Sequence, residues 1–449
     1  MRRMSAAAAL RTIAWQLFES AVGLRPPLPP GVPGRDVLAK NGDHRYYLRR
    51  FWKYGPIFTT LWGQRISVCV VGFSRASRLL AQHAQYLMGA SVELRPMVPN
   101  GVIRCMLGQT HAHYRKVLLA GMRPELAARL EPQLRAIVRD ALAQLAAGQT
   151  PVNRAGATPL GATTELITTR AVVTWMCGVG PSHPTAQAIC AALFRMGPAE
   201  MPGNTLDGRQ LAGFEEVRAL VREAADTLKA NPDWAEHDGV LPRLVKERPA
   251  DLDETVIGNL SYSLQQGRYD MGGLLRWVTK YLTDSPDVVA ALRTAVHDPA
   301  VPAPGLAEAV VLETLRLDQA TALHRVALEE LVFDGYRIPK NAFVKIPLRE
   351  VHQDPQVFEE PERFNPWRFV GRTYPADAYA PFGTSEHRCL GTHLVLRVAT
   401  LLVEELASSW AWEQTGDSTR VMGRYHWEPA PTFDLRLTPL STSASTPAS

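Results

Sequence analysis

The sequence predicts one mainly α-helical domain with a few small β-sheets at its margins. Helical spacing of apolar residues dominates from about residue 74 onward, whereas runs of β-branched and aromatic residues are short and few. No Gly/Ser linker, charge run, low-complexity tract or internal repeat divides the 449 residues, and a hydrophobic content of 46% suffices for one large core.

The elements follow from this spacing in chain order. A helix over 43–53 is followed by a hairpin of two strands, 55–62 and 65–71, with Gly63 and Gln64 between them. Further helices are predicted over 74–83, 111–119, 123–147, 161–177, 185–196, 210–230 and 251–284. Strands return at 331–333 and 343–347.

The N-terminal segment predicts an amphipathic helix over residues 6–24, which Arg11, Gln16 and Glu19 interrupt and which is too short to span a bilayer. We expect it to pack on the body, with contact to a membrane surface as the alternative. A stiff Pro-rich connector completes residues 1–34. Residues 35–439 then form one catalytic domain, and residues 440–449, rich in Ser and Thr, form a disordered tail.

Charge and cysteine content limit which partners and which cellular compartment we expect. The net charge of +5 is small for this length, and no basic stripe with interleaved aromatic residues indicates a nucleic-acid surface. The excess is either a docking face for an acidic electron carrier or an ordinary solvated surface. Five widely spaced cysteines, with no C-x-x-C pair, indicate a reducing compartment, so we expect a cytoplasmic protein. We also expect it to be a monomer.

One cysteine lies in a distinctive loop. Residues 379–391 read Tyr-Ala-Pro-Phe-Gly-Thr-Ser-Glu-His-Arg-Cys-Leu-Gly. Positive charge at His387 and Arg388, together with the start of the following helix, stabilises a thiolate at Cys389. Gly391 lets a bulky flat ligand approach the backbone closely. Cys389 is therefore the candidate reactive centre.

With Phe382 and Gly383, this loop resembles the heme-binding loop of the cytochrome P-450 family, Phe-Gly-x-Gly-x-His/Arg-x-Cys-x-Gly, with Ser385 in place of the second glycine. The resemblance spans roughly residues 35–437 and implies the P-450 fold. It also implies that Cys389 is the axial ligand of the iron in heme b (iron protoporphyrin IX), shielded by Phe382. The sequence as a whole resembles soluble bacterial members of the family.

Two further patterns fit the same family. Glu313 and Arg316 lie three residues apart on one helix face, where they can pair. Together with Arg363 they resemble the Glu-x-x-Arg motif and its later arginine, which implies a buried trio behind the heme. His111 and Arg115, at i and i+4, resemble the pair that binds the heme propionates, and the resemblance adds Arg325 and His387. A shift of one or two residues would bring in His113 or His324 instead.

The predicted long helix departs from the family. Aligned through Trp277 and Pro286, it places Gly267 on the usual glycine, Tyr269 on the usual acid and Asp270 on the usual alcohol. The resemblance implies that this acid and alcohol manage protons during oxygen activation, so these three residues are the catalytic candidates. A carboxylate at the alcohol position cannot donate a hydrogen bond unless it is protonated.

Three functions therefore stay open. The first is a monooxygenase that inserts oxygen from O2 into a small, largely apolar organic substrate, in the tailoring of a secondary metabolite. Its electrons come from ferredoxin or a similar protein, because the chain has no flavin, Fe–S or nicotinamide motif. The second is an atypical enzyme that uses peroxide or catalyses coupling, nitration or rearrangement. The third is a heme-binding protein without turnover. By resemblance, residues 88–104, 196–209, 319–324 and 423–433 line the substrate pocket.

Overall fold

The computed structural model describes residues 6–31, 43–62, 65–90, 94, 97–149, 157–197, 206–235, 237–295, 305–319, 322–422 and 427–440. Helices form the body. In chain order they are α1 Ala6–Ala21, α2 Tyr46–Tyr54, α3 Phe73–Gln82, α4 Gly108–Gly121, α5 Pro124–Arg129, α6 Glu131–Ala146, α7 Pro159–Cys177, α8 Pro184–Met196, α9 Gly208–Ala230, α10 Pro232–Ala235, α11 Val240–Glu247, α12 Glu254–Asp284, α13 Pro286–Ala295, α14 Leu306–Thr314, α15 Leu348–Val351 and α16 Thr392–Ser409.

The strands belong to more than one region of the fold. They are β1 Ile57–Trp62, β2 Arg65–Val70, β3 Leu87–Gly89, β4 Ala322–Ala327, β5 Leu331–Phe333, β6 Tyr336–Ile338, β7 Phe343–Pro347, β8 Trp410–Thr415, β9 Arg420–Met422, β10 Trp427–Pro429 and β11 Asp434–Pro439. Within the described residues they form one sheet of order β1-β2-β7-β4-β3 and three two-stranded ribbons. Only β2 and β7 pair in parallel in the large sheet. The large sheet has its own apolar core, whereas β8 and β11 pack on the helical core.

The long helix α12 organises the helical core. Asp253 accepts a hydrogen bond from the Val256 N–H at 2.8 Å, which starts the helix with the acidic turn that the sequence predicted. Its 31 residues are buried on several sides, as expected for a helix in the centre of a bundle. A Cβ at Gly267 would lie 3.3 Å from Val172 of α7, so the glycine allows the two helices to pack closely.

The predicted mainly helical body with small sheets is confirmed. So is the hairpin, in which Ile57 of β1 lies opposite Val70 of β2. The single helix predicted over 123–147 is wrong, because the chain forms α5 and α6 there. Pro132 lies in the first turn of α6, a position that its missing N–H permits, but its ring disfavours a continuous helix through the preceding residues.

Helix α1 packs on the body through one face. Buried Arg337 donates hydrogen bonds to Glu19 Oε2 at 3.1 Å and to the Gln16 carbonyl oxygen at 2.9 Å. Ile13 packs against the apolar core of the large sheet. In the part of the chain that the structure describes, no helix has both the length and the apolar character needed to cross a bilayer.

A buried carboxylate joins three segments of the chain. Glu313 in α14 and Arg316 in the following π-helical turn are both fully buried, with Arg316 Nε 2.7 Å from Glu313 Oε2 and Nη2 2.8 Å from Oε1. The third member is Arg368, whose Nε donates to Glu313 Oε1 at 3.1 Å. The Asn365 N–H donates to the same oxygen at 2.9 Å. Glu313 therefore holds the segment before the cysteine loop against α14.

The prediction that Arg363 is the third member of this trio is wrong. Its side chain is exposed and pairs with Glu360 at 3.1 Å, and only its carbonyl oxygen meets Arg316, at 3.3 Å from Nη2. The sequence contains two Pro-x-Arg-Phe tetrads, at 361–364 and 366–369. The second one carries the buried arginine, because Asn365, just before it, is tied to Glu313 by its backbone.

The two arginines give a matched test of this trio. We expect Arg368→Ala to lower the free energy of unfolding by about 3 to 5 kcal/mol, because it removes one partner of a buried ion cluster. Arg363→Ala should change it by about 0.5 kcal/mol or less, as for an exposed side chain. Guanidinium unfolding followed by circular dichroism measures both. Equal effects of the two substitutions would contradict the assignment.

Candidate active site

The cysteine loop, residues 380–391, is held at both ends. At its start, the Ala380 N–H donates to His352 Nε2 at 3.1 Å. At its end, the Cys389 N–H donates to the Phe382 carbonyl oxygen at 2.9 Å, and Thr392 Oγ1, at the first residue of α16, donates to the Cys389 carbonyl oxygen at 3.1 Å. These bonds fix the cysteine backbone directly before a helix N-terminus.

Two residues of the loop have left-handed backbone conformations. Gly383 has φ +80°, and Ser385 has φ +61°. Ser385 occupies the position where the family pattern has its second glycine, and this φ explains that preference. A non-glycine residue in this region costs about 1 to 2 kcal/mol. The loop nevertheless keeps the conformation with serine.

The Cys389 thiol is accessible although protein surrounds it. Burial raises the pKa of this thiol, while the Gly391 N–H and the positive charges of Arg104 and Arg115 lower it. The negative charge of Asp270 on α12 raises it as well. Both observations fit a thiol that faces an interior space, with α12 on the other side.

Basic side chains from three elements converge beside the cysteine. Arg115 of α4 donates from Nη2 to the Arg388 carbonyl oxygen at 2.9 Å. His111, one turn earlier and buried, packs against His387 with ring centroids 4.0 Å apart and the ring planes tilted by 38°. Arg325 of β4 is also buried, and its charge acts on His387. The structure thus brings together the four basic residues that the sequence singled out.

This basic cluster has one carboxylate beside it, that of Glu386, whose Oε1 lies 3.7 Å from His387 Nε2. Burial and the charges of Arg325, His111, Arg115 and Arg104 lower the pKa of His387 to about 3. Burial and the charge of Arg104 lower the pKa of Arg325 to about 10. Among the described residues, His111 Nε2 and the Arg325 atoms Nε and Nη2 have no hydrogen-bond partner.

Such a cluster favours an anionic ligand. The two propionates of heme supply the required carboxylates, and the thiol beside the cluster is a suitable ligand for its iron, so the residues present fit heme. Ligand atoms of His111, Glu386 and His387 also lie within 4.8 Å of one another, a spacing that could hold a metal ion. The nearby guanidinium groups of Arg115 and Arg325 disfavour a second cation there.

The competing histidines lie elsewhere. His113 is exposed on α4, because two residues turn a helix by more than half a circle from His111. His324 precedes Arg325 on β4, and neighbouring residues of a strand point to opposite faces. The register with His111 and Arg325 is therefore the one that forms the basic cluster.

The residues predicted on the long helix have different positions. Asp270 is half-buried, and its Oδ2 accepts a hydrogen bond from Gln266 Nε2 at 3.0 Å. Gln266 Oε1 in turn lies 3.4 Å from the hydroxyl of Tyr262, one turn earlier. Tyr269 is half-buried with its hydroxyl oxygen inaccessible to solvent. Gly267 packs against α7, which makes it a packing position as well as a catalytic candidate.

Sequence reasoning missed Arg104. Its charge acts on Cys389, His387 and Arg325, so it belongs to the same region. The available signal was a single basic residue inside the otherwise apolar run 102–107. Of the segments expected to line the pocket, residues 91–93, 95–96, 198–205, 320–321 and 423–426 lie outside the described residues.

Comparison with known proteins agrees with this geometry. The model of the family described as "Cytochrome P450" matches residues 291–421, which include the cysteine loop. Abscisic acid 8'-hydroxylase 2 of Oryza sativa subsp. indica is 25% identical over 432 residues, covering 88% of this chain and 83% of the rice protein. Abscisic acid 8'-hydroxylase 1 of Arabidopsis thaliana is 21% identical over 423 residues, covering 87% of each protein.

Solved structures share the fold. The retinoic acid-bound cyanobacterial CYP120A1 has a TM-score of 0.72 at 20% identity and covers 93% of this chain and 100% of its own. Cytochrome P450EX alpha (CYP152N1) with myristic acid has a TM-score of 0.69 at 17% identity and covers 92% and 100%. The family match contains the loop around Cys389, and the likeness to relatives extends over most of the sequence. This chain therefore has the cytochrome P450 fold, and its region around Cys389 matches the model of that family.

Proposed function

We propose that this protein, with heme b bound through Cys389, inserts one oxygen atom from O2 into a small, largely apolar organic molecule. One observation carries the proposal: the accessible Cys389 lies directly before a helix N-terminus and beside basic side chains, and the charge of Asp270 of α12 reaches its thiol. Heme-thiolate oxygenation needs a sulfur ligand, carboxylate-binding residues and a proton-carrying group around one space.

The residues of the cysteine side would hold the cofactor. Heme with an axial thiolate supplies the chemistry that cleaves the O–O bond. Cys389 would give the sulfur, and Phe382, Gly383 and Gly391 would shape the loop beneath it. The propionates would accept hydrogen bonds from His111, Arg115, Arg325 and His387. Each charge-assisted bond contributes about 1.5 to 3 kcal/mol.

Asp270 would manage protons on the opposite side. The hydrogen bond from Gln266 to Oδ2 fixes the plane of the carboxylate. A positioned carboxyl group of this kind can hold a proton and pass it to a reacting oxygen. Tyr269, which precedes Asp270 in the sequence and has a buried hydroxyl oxygen, is the second candidate for this role.

Substrate class and electron source are supported separately. The rice and Arabidopsis relatives are named as hydroxylases of abscisic acid, and the two solved structures hold retinoic acid and myristic acid. All three compounds are small and largely apolar, as we propose for this substrate. Electrons would come from a separate acidic protein such as a ferredoxin, which the exposed Arg388 beside Cys389 favours.

A second candidate is a peroxide-driven oxygenase. The observation that favours it is the replacement of the usual acid and alcohol by Tyr269 and Asp270. A carboxylate at the alcohol position can take a proton from hydrogen peroxide and return it, which needs no electron donor.

Replacing Cys389 tests the iron ligand. The reduced wild-type protein should show a strongly red-shifted optical band with carbon monoxide, because a thiolate donates electron density to the iron. Cys389→Ser should lose this band. Cys190→Ala, which removes a buried core thiol, should keep it. A Cys389→Ser protein that retains the band would refute the assignment.

Replacing Arg115 tests the propionate site. Arg115→Ala removes one charge-assisted hydrogen bond, so heme should leave about 10- to 100-fold faster. Transfer of heme to apomyoglobin measures the rate. Arg388→Ala, at an exposed neighbouring side chain, is the matched control and should release heme at the wild-type rate. Unchanged release from both variants would remove Arg115 from the site.

Replacing Asp270 tests the proton role. Asp270→Asn keeps the shape but cannot titrate, so it should lose most product formation and divert reducing equivalents to peroxide. Asp270→Thr should recover part of the coupling, and Asp284→Asn, near the exposed end of α12, should match the wild type. Product and peroxide are measured with an electron donor and O2.

The opposite result for Asp270→Asn, wild-type rate and coupling, would end this role. If peroxide alone also drove turnover as fast as donor plus O2, the peroxide-driven candidate would replace the monooxygenase.

A further inference from the structure

Arg104 lies in a short 3-10 turn, Ile103–Cys105, that is fixed from two sides. On one side, the Ile103 N–H donates to Asn259 Oδ1 of α12 at 2.6 Å. On the other side, Cys105 Sγ lies 3.1 Å from the Gly89 carbonyl oxygen of β3. A Cβ at Gly89 would lie 1.9 Å from the Arg104 carbonyl oxygen, so the turn packs tightly on the end of this strand.

This anchoring places the Arg104 side chain between the sheet and α12. Gly89 pairs with Arg325 on β4, so the turn lies beside the basic cluster. Asn259 is one turn before Tyr262, which is buried and belongs to an apolar cluster with Val98 and Phe214. The turn's own neighbours, Ile103 and Cys105, are buried or half-buried, whereas the Arg104 side chain is accessible.

The electrostatic interactions of Arg104 indicate which groups lie near its side chain. Tyr262 raises the pKa of Arg104, burial opposes it, and Asp270 and Cys105 raise it further. Arg104 in turn lowers the pKa of Cys389. Together with the anchoring of this turn between Gly89 of β3 and Asn259 of α12, these interactions indicate that the accessible Arg104 side chain faces the space between α12 and the cysteine.

The charged and polar groups around this space form two sets. Arg325, Arg115, His111 and His387 form the basic cluster, and Glu386 lies next to it. On the α12 side, Arg104 interacts with the Tyr262 side chain and is attracted by the charge of Asp270, which also accepts a hydrogen bond from Gln266. A guanidinium group has five donors in a planar fork, more than one hydroxyl and one shared carboxylate can satisfy. The remaining donors match a carboxylate held in bidentate fashion.

We propose that Arg104 binds a carboxylate and that this carboxylate belongs to the substrate, which makes the substrate an apolar carboxylic acid. The assignment rests on the proposed oxygenase function and adds the residue that selects the substrate. An acid held at this turn presents its apolar part to the space in front of Cys389. The distance from carboxylate to reacting carbon would then decide where oxygen is inserted. The other possible source of a carboxylate is a heme propionate.

The experiment separates these two sources. Myristic acid and tetradecan-1-ol, and likewise retinoic acid and retinol, are titrated into the ferric holoenzyme while the optical band of the heme is followed. We expect the wild type to bind an acid of this panel more tightly than its alcohol. Arg104→Gln should weaken binding of that acid about 10- to 100-fold and leave the alcohol unchanged. Arg104→Lys, which keeps the charge but loses the fork, should fall between them.

Two controls complete the design. Arg363→Gln, at an exposed side chain, should bind acid and alcohol as the wild type does. Heme release from Arg104→Gln to apomyoglobin should proceed at the wild-type rate, because the propionates are held by other residues. Faster heme release with unchanged preference for the acid would assign Arg104 to a propionate and overturn the proposal.

Equal weakening of acid and alcohol in Arg104→Gln, no weakening of either, or no optical shift with any acid in the wild type would also overturn it. Failure of the oxygenase function gives a different result. In that case the acid binds through Arg104, but donor and O2 yield no oxygenated product.

Discussion

The buried carboxylate of Glu313 is the interaction on which the position of the cysteine loop depends. Glu313 aligns Arg316, and Arg316 Nη1 donates to the His352 carbonyl oxygen at 2.8 Å. The imidazole of His352 then accepts the Ala380 N–H, where the loop begins, at 3.1 Å. Because burial and Arg316 lower the pKa of His352 to about 3, this imidazole is neutral at physiological pH and keeps its acceptor nitrogen. A continuous chain of hydrogen bonds therefore runs from Glu313 to the segment that carries Cys389.

Charge is distributed differently on the two sides of the site. Around Glu313, two guanidinium groups share one carboxylate with good geometry, so each buried cation has an anionic partner. Beside Cys389, the buried groups are almost all basic, and their mutual repulsion and desolvation lower the pKa values of His387 and Arg325. The first cluster has a buried carboxylate at its centre, whereas the second has buried guanidinium and imidazole atoms without an acceptor among the described residues and is suited to an anion from outside the chain. This contrast distinguishes a structural ion cluster from a ligand site.

The sequence predicted what local patterns determine. Helical periodicity placed α12, the two-residue spacing at Gly63 and Gln64 indicated the hairpin, and the loop around Cys389 was recognisable from its residues. The sequence-based prediction failed where two similar patterns occur, as in the two Pro-x-Arg-Phe tetrads. Only the tertiary contact with Glu313 distinguishes Arg368 from Arg363. The sequence did not indicate a role for Arg104, for a related reason. Its role depends on Gly89 and Asn259, which are distant in sequence.

The departure at Tyr269 and Asp270 becomes understandable together with Arg104. A carboxylate beside a heme site is unfavourable alone, because burial penalises its charge. A guanidinium group on the same side offsets that penalty, and the hydrogen bond from Gln266 orients the carboxylate. The charges of Arg104 and Asp270 thus stabilise each other. An anionic substrate bound at Arg104 would add a second negative charge beside this guanidinium group, in the region where Asp270 is proposed to hold a proton. Substrate recognition and proton supply would be coupled through one arginine.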